Sequence, residues 1–280
     1  MKKSLLIILV ILSAGALRAQ DTLHISAPKK KGQFYFSWGY NKDWFSKSDI
    51  HFSNTSEDPN PVTKAKDDSY NFTVYDATAN DRTGFEGMLR KPITVPQYVY
   101  RLGYYFNDQH NLGIEINFDH AKYVMNDNQT LHVKGMIHGQ EVDQDTMISP
   151  NNFLHFEHTN GANFLMLNLL KREQLCHSKN DKHILNAVVK LGAGMVIPKT
   201  DVTLFGQEVD NRFHIAGYCI GIDAGLRYEA FHHIVLEYTA KESFDNYTRV
   251  LVNGTEKAHH HFWTFENILT LGFQLGGGKK

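Results

Sequence analysis

The sequence predicts an all-β fold: a closed, antiparallel, up-and-down β-barrel of about eight strands that crosses a membrane. Three observations carry that prediction. Apolar and polar residues alternate with period two over stretches long enough to span a bilayer, which takes about 9–11 tilted residues per strand. The connections between those stretches alternate between short and long. The polar faces hold charges of both signs in near balance.

The elements follow in chain order. MKKSLLIILVILSAGALRAQ has a positive start at Lys2 and Lys3, an apolar run from Leu5 to Leu12 and a small residue at Ala19. Residues 1–19 therefore read as a signal peptide rather than an anchor, because the apolar run is too short and no stop-transfer pattern follows. No cysteine follows it to take a lipid. Residues 20–32, with Lys29, Lys30 and Lys31, read as a solvated periplasmic lead-in.

The barrel is expected over 33–275. QFYFSWGYNKDWF sets Phe34, Phe36, Trp38 and Tyr40 on one face. YVYRLGYYF sets Tyr98, Tyr100, Leu102, Tyr104 and Phe106 against Arg101 and Gly103. NLGIEINFD sets Leu112, Ile114, Ile116 and Phe118 against Glu115, Asn117 and Asp119. NFLMLNLLK (163–171) is apolar on both faces and its facing stays open. ILNAVVKLGAGMV opposes Leu191 and Ala193 to Lys190 and Gly192. YCIGIDAGLRYE opposes six apolar residues from Tyr218 to Tyr228 to Asp223, Arg227 and Glu229. IVLEYTAK opposes Leu236 and Tyr238 to Glu237 and Lys241. FWTFENILTLGFQL closes the series, with Asn267 interrupting its apolar face and Ile268 its polar one. Residues 276–280 form a periplasmic tail.

Short connections fall at 107–110, 172–183 and 230–233; long ones fall at about 46–96, 125–162, 198–212 and 245–261. One-sided placement of long loops, an even strand number and both termini on one side belong to a barrel in a bilayer. YNFTVYDATA (70–79) and LHVKGMI (131–137) predict extra hairpins within the first two long loops.

Composition narrows the function. Lys+Arg 29 against Asp+Glu 30 gives a net charge of -1, so neither nucleic acid nor an acidic substrate is indicated. Aromatics are 12% of the chain with only 7 prolines, which favours strands. Mean hydropathy of -0.38 excludes a bundle of membrane helices but not a barrel with a polar lumen. Nine charged residues are predicted to point inward: Arg101, Glu115, Asp119, Lys190, Asp223, Arg227, Glu237, Lys241 and Glu266. An eight-stranded barrel is filled by its own side chains, and charges buried there must be paired. Cys176 in the turn at the end of one strand pair and Cys219 about ten residues up a different strand lie too far apart to bridge, which predicts two free thiols.

The leader, the eight alternating strands, the aromatic strand ends and the final TFENILTLGFQL resemble the small outer-membrane barrels of Gram-negative bacteria, of the OmpA, OmpX and OmpW sort. The resemblance covers about 33–275 as architecture and implies residence in the outer membrane, among its lipids. Barrels of that class commonly stop on an aromatic residue, whereas GGGKK follows Leu275 here; Phe273 is the nearest substitute.

Two constellations are candidates for chemistry. DIHFSNTS holds His51 and Ser53 in a motif similar to that of outer-membrane lipid A deacylases, where an imidazole activates a hydroxyl; position 65, where an acidic partner belongs, is Ala65. Asp119, His120, His155 and His158 are candidate metal ligands, although His155 and Glu157 share one strand face and His158 takes the other. The run His259–His261 falls at the outer rim. No cofactor is expected. The first expectation for function is surface binding by the long loops, with a surface ligand or as a subunit of an outer-membrane complex. The alternative is a lipid-modifying hydrolase at the outer rim.

Overall fold

A row of hydrogen bonds between the first and last strands closes the wall. The computed structural model describes residues 32–54, 69–82, 97–106, 110–151, 153–159, 161–253 and 257–276. The leader, Lys29–Lys31, Ala65, the turn at 107–109 and the tail at 277–280 lie outside the described residues. Every element among the described residues is a strand.

Eight strands make the ring. β1 (Gln33–Phe45) pairs with β5 (Val99–Tyr105), β5 with β6 (Leu112–Asp119), and β6 with β11 (Ala162–His177). β12 (His183–Pro198), β15 (Gly217–Ala230), β16 (Ile234–Leu251) and β17 (Lys257–Gly276) continue it. β17 returns to β1 from Gln33↔Gly276 to Phe45↔Thr264, so the ring has no open edge along that seam. Closure is what a bilayer demands, since an unpaired backbone group in hydrocarbon costs several kcal/mol.

The alternation read from the sequence is the inside–outside division of this wall. Leu226 is 47% exposed and its neighbour Arg227 is 0% exposed. Trp38, Trp44, Tyr100, Ile116, Leu269, Leu271 and Phe273 face outward. A surface this apolar belongs in lipid, because contiguous exposed patches of its size are not kept in water. NFLMLNLLK resolves with Leu167 and Leu169 outward and Phe164, Met166 and Leu170 inward. The register is set by Asn168, whose Nδ2 reaches Glu115 Oε1 at 3.2 Å inside the wall. The two interruptions in β17 are also accounted for. Ile268 is buried, and outward Asn267 accepts a hydrogen bond from Tyr238 Oη at 2.8 Å.

Above the apolar belt the chain builds more than loops. The expected connection at 245–261 is instead strand: β16 runs on to Leu251 and β17 starts at Lys257. On the outward phase of β16, Asn246 and Thr248 follow where Leu236 and Tyr238 stood lower down, so the lipid-facing signal ends while the strand does not. Along this upper part β17 exchanges β1 for β2 (Ser48–Asn54), pairing Lys257↔Ser53 and His259↔His51. Ser46 marks the handover: its N–H donates to Trp263 O at 2.9 Å and its Oγ accepts from Trp263 N–H at 3.0 Å.

β2 continues to β3 (Tyr70–Ala77), β8 (Thr130–Ile137) and β9 (Gln140–Met147). Thus 70–77 pairs antiparallel with β2 inside the first long loop and also with β8, and 131–137 pairs with β9 in a second hairpin. A second sheet runs β14 (Gln207–Asp210), β13 (Asp201–Leu204), β10 (Leu154–His158), β7 (Tyr123–Met125) and β4 (Ala79–Asp81). The β8–β9 turn has positive φ at both His138 (50°) and Gly139 (76°), the pattern that matches strand twist in a two-residue hairpin. Phe205 and Gly206 repeat it between β13 and β14.

The two sheets enclose one apolar core, in which Phe52 stacks on Phe72 at 5.3 Å and meets Phe156 at 5.6 Å. That core is continuous with Met166, Cys219, Tyr247 and Phe262 at the top of the ring, so the upper sheets form a cap seated on the barrel. Cys176 is exposed and Cys219 buried, and both are free.

Because Leu226 faces lipid near the middle of β15, Leu226→Arg is expected to cost about 2–4 kcal/mol, as cations do at the bilayer midplane. Urea unfolding from lipid vesicles, compared with Leu226→Val, measures it.

Candidate functional site

The barrel interior is a polar column built by strand register. Lys190, Asp223, Lys241 and Glu266 are consecutive partners across β12, β15, β16 and β17. Their signs alternate around the wall: Lys190 and Lys241 are each ion-paired within the lumen, whereas Asp223 Oδ2 is buried with no hydrogen-bond partner. All nine residues read as inward from the sequence are buried, four cations against five carboxylates.

Contacts run unbroken along the axis. At the lower end Arg172 Nη1 meets Glu229 Oε1 at 2.7 Å, and Arg227 binds Glu229 at 3.3 Å and Glu237 at 3.0 Å. The Arg227 guanidinium also lies over the Tyr35 ring, 4.2 Å from its centre. Lys190 Nζ joins Glu237 at 2.6 Å to Glu115 at 2.9 Å. Glu115 accepts from Tyr35 Oη, and Arg101 bridges Glu115 to Asp119. Lys241 Nζ then joins Asp119 at 2.8 Å to Glu266 at 2.6 Å. Asn41 Nδ2 carries the chain from Glu266 at 3.0 Å to Asp43, which also accepts from Gln97. This column closes the lumen and positions no exposed reactive group.

The candidate metal ligands disperse. Asp119 is held by Arg101 and Lys241 within the column. His120 stacks on Tyr98 with ring centres 4.6 Å apart, its Nδ1 2.7 Å from Asn163 Oδ1. His155 lies between two carboxylates, with Nδ1 2.8 Å from Asp127 and Nε2 3.3 Å from Glu157. The bond to Glu157, working against partial burial, and the bond to Asp127 push its imidazole up to about 9. At neutral pH it is therefore a cation with both nitrogens donating, and it offers no lone pair to a metal.

His158 is the opposite case. It is buried in the cap core, its Nδ1 2.8 Å from Thr200 Oγ1 and its Nε2 3.2 Å from Nε2 of His260. His260 Nδ1 in turn lies 3.2 Å from Ser48 Oγ. Burial pushes His158 down to about 3 and holds His260 well below the usual imidazole range. The two rings are a neutral pair sharing one proton across their contact. Sequence reading missed His260 as the partner of His158. The available signal was that His260 falls on the inward phase of β17, in step with Phe262 and Thr264.

His51 and Ser53 lie two residues apart on the same face of β2. His51 Nδ1 is 2.9 Å from Thr73 Oγ1 and its ring lies against His259. Among the described residues, that leaves it without the carboxylate a catalytic relay needs.

No protein-family model matches the sequence, and no curated protein matches it. Among solved structures, the outer membrane protein AlkL in lipid bilayers is 11% identical, with TM-score 0.35, covering 92% of this chain and 96% of that one. OprG from Pseudomonas aeruginosa is 11% identical, with TM-score 0.33, covering 89% and 97%. The OmpT protease from Escherichia coli is 10% identical, with TM-score 0.31, covering 91% and 99%. At such scores the likeness carries no argument about this chain, whose closed ring stands on its own register.

Two expectations follow. Lys241→Met removes the cation shared by buried Asp119 and Glu266, so unfolding should be easier by about 3–5 kcal/mol, with part regained in Lys241→Met/Glu266→Gln. Equilibrium unfolding in vesicles reads both.

The histidines give the cap opposite pH limits. His155 is raised, so its contribution is full below about 6.5 and is lost as pH rises through about 9. His158 is lowered, so the unfolded chain binds a proton that the folded cap cannot, and stability falls as pH drops from about 6.5 toward 3. His155→Gln should cost about 1–2 kcal/mol at pH 6, allowing for partial exposure, and almost nothing at pH 10. His158→Gln should lessen the acid sensitivity. Hydrogen exchange of cap peptides across pH distinguishes them.

Proposed function

We propose that the protein is an integral outer-membrane barrel acting in surface binding through its folded cap, alone or as a subunit of an outer-membrane complex. The observation that carries this reading is the cap's architecture: two sheets sharing one core, rooted in β16 and β17 and seated on a barrel filled with its own ion pairs. Transport through the axis is disfavoured by that filling. Long segments that build their own structure are usually functional.

The contact element is β9, at the edge of the larger sheet, with Glu141, Asp143 and Asp145 on one face. Among the described residues only β8 pairs with it, so its outer backbone groups are open to strand addition by a partner. Outer-membrane lipid surrounds the belt, and export by residues 1–19 delivers the chain there.

Replacing 130–147 by a short glycine linker is expected to leave a barrel that still shows heat-modifiable migration. The same replacement should abolish attachment of cells displaying the protein to matrix-coated surfaces and to other cells. Undiminished attachment to all of them would overturn the reading. Stepwise single-channel conductance by the intact protein would overturn the filled lumen.

A further inference from the structure

The outer face of the larger sheet carries a histidine pair that neither core nor lumen uses. His259 of β17 and His51 of β2 are direct register partners, their ring centres 4.6 Å apart and tilted by 35°. The same row continues through Thr73 of β3, Lys134 of β8 and Asp143 of β9. Both histidines lie beyond Trp263, on the cap side of the aromatic belt, where ions in solution reach them.

Thr73 gives the pair its chemistry. Its Oγ1 sits 2.9 Å from His51 Nδ1. In the tautomer in which Nδ1–H donates to that hydroxyl, His51 Nε2 keeps its lone pair. Metal-ligating histidines are held in this way, with the second nitrogen anchored by a neighbouring acceptor. His259 is exposed, and its ring is already beside His51.

We propose that His51 and His259 form a surface site for a divalent transition ion such as Zn²⁺ or Cu²⁺. Imidazole pairs select these ions over Mg²⁺ or Ca²⁺, which take oxygen ligands. Water completes the coordination sphere. With two protein ligands the site is labile, unlike structural zinc, which takes four. His261, two residues along the same face, lies against Phe244 with ring centres 5.6 Å apart and tilted by 47°, and is not required.

The test is calorimetric titration of ZnCl₂ and CuCl₂ into the full-length protein in detergent, after chelator treatment. One ion per chain is expected at the tightest site. His51→Ala and His259→Ala should each weaken it at least tenfold. Thr73→Val, which keeps both rings but frees His51 to turn, should weaken it by about 10–100-fold. His261→Ala and His177→Ala should leave it unchanged. Heat-modifiable migration checks that each variant is folded, and nitrogen couplings in the Cu²⁺ paramagnetic resonance spectrum should fall from two to one in either single variant. An absence of binding by the unmodified protein would overturn the site, as would equal affinity in the His51→Ala/His259→Ala double variant.

Discussion

The structure depends on neutralising charge inside a closed, water-poor wall. Isolated ions there would cost several kcal/mol apiece, so each must meet an opposite charge or a hydrogen-bond donor. The solution is geometric. Strand register puts Lys190, Asp223, Lys241 and Glu266 side by side, and the contacts of Arg101, Glu115 and Arg227 tie successive levels together. A one-residue slip of any ring strand would turn its charges toward lipid and its leucines inward. The column therefore fixes register as firmly as the apolar exterior does.

That dependence explains what could be read from the sequence. Period-two alternation is strongest where one face meets lipid and the other meets ions, so Leu226 beside Arg227 gave the barrel away. Where both faces are apolar, as in Phe164–Leu170, only contacts from other strands decide, and Asn168 against Glu115 does so. The cap was less legible. Its strands bury one face in a protein core and leave the other in water, and the mostly polar residues 242–249 of β16 do not distinguish continued strand from loop. The turns at His138–Gly139 and Phe205–Gly206 were available signals, weaker than an asparagine–glycine pair but of the same backbone type.

Histidine was the residue type on which sequence spacing said least. Neighbours in the chain, His155 and His158 occupy opposite electrostatic settings, one a cation between carboxylates and one a neutral ring in an apolar core. Pairings that matter cross long intervals: His158 with His260 in the core, His51 with His259 outside. Both follow from the upper half of β17, whose inward and outward phases deliver alternate histidines to the two sides of one sheet.

β17 is a single strand of 20 residues whose lower part belongs to the barrel and whose upper part belongs to the cap. A tug on the cap directed along this strand is thus borne in shear, with many backbone hydrogen bonds to β1 and β16 loaded in parallel. They do not open one after another as in an unzipping edge. The fold anchors what sits outside the membrane much as a tent peg holds a rope, by friction distributed down its length.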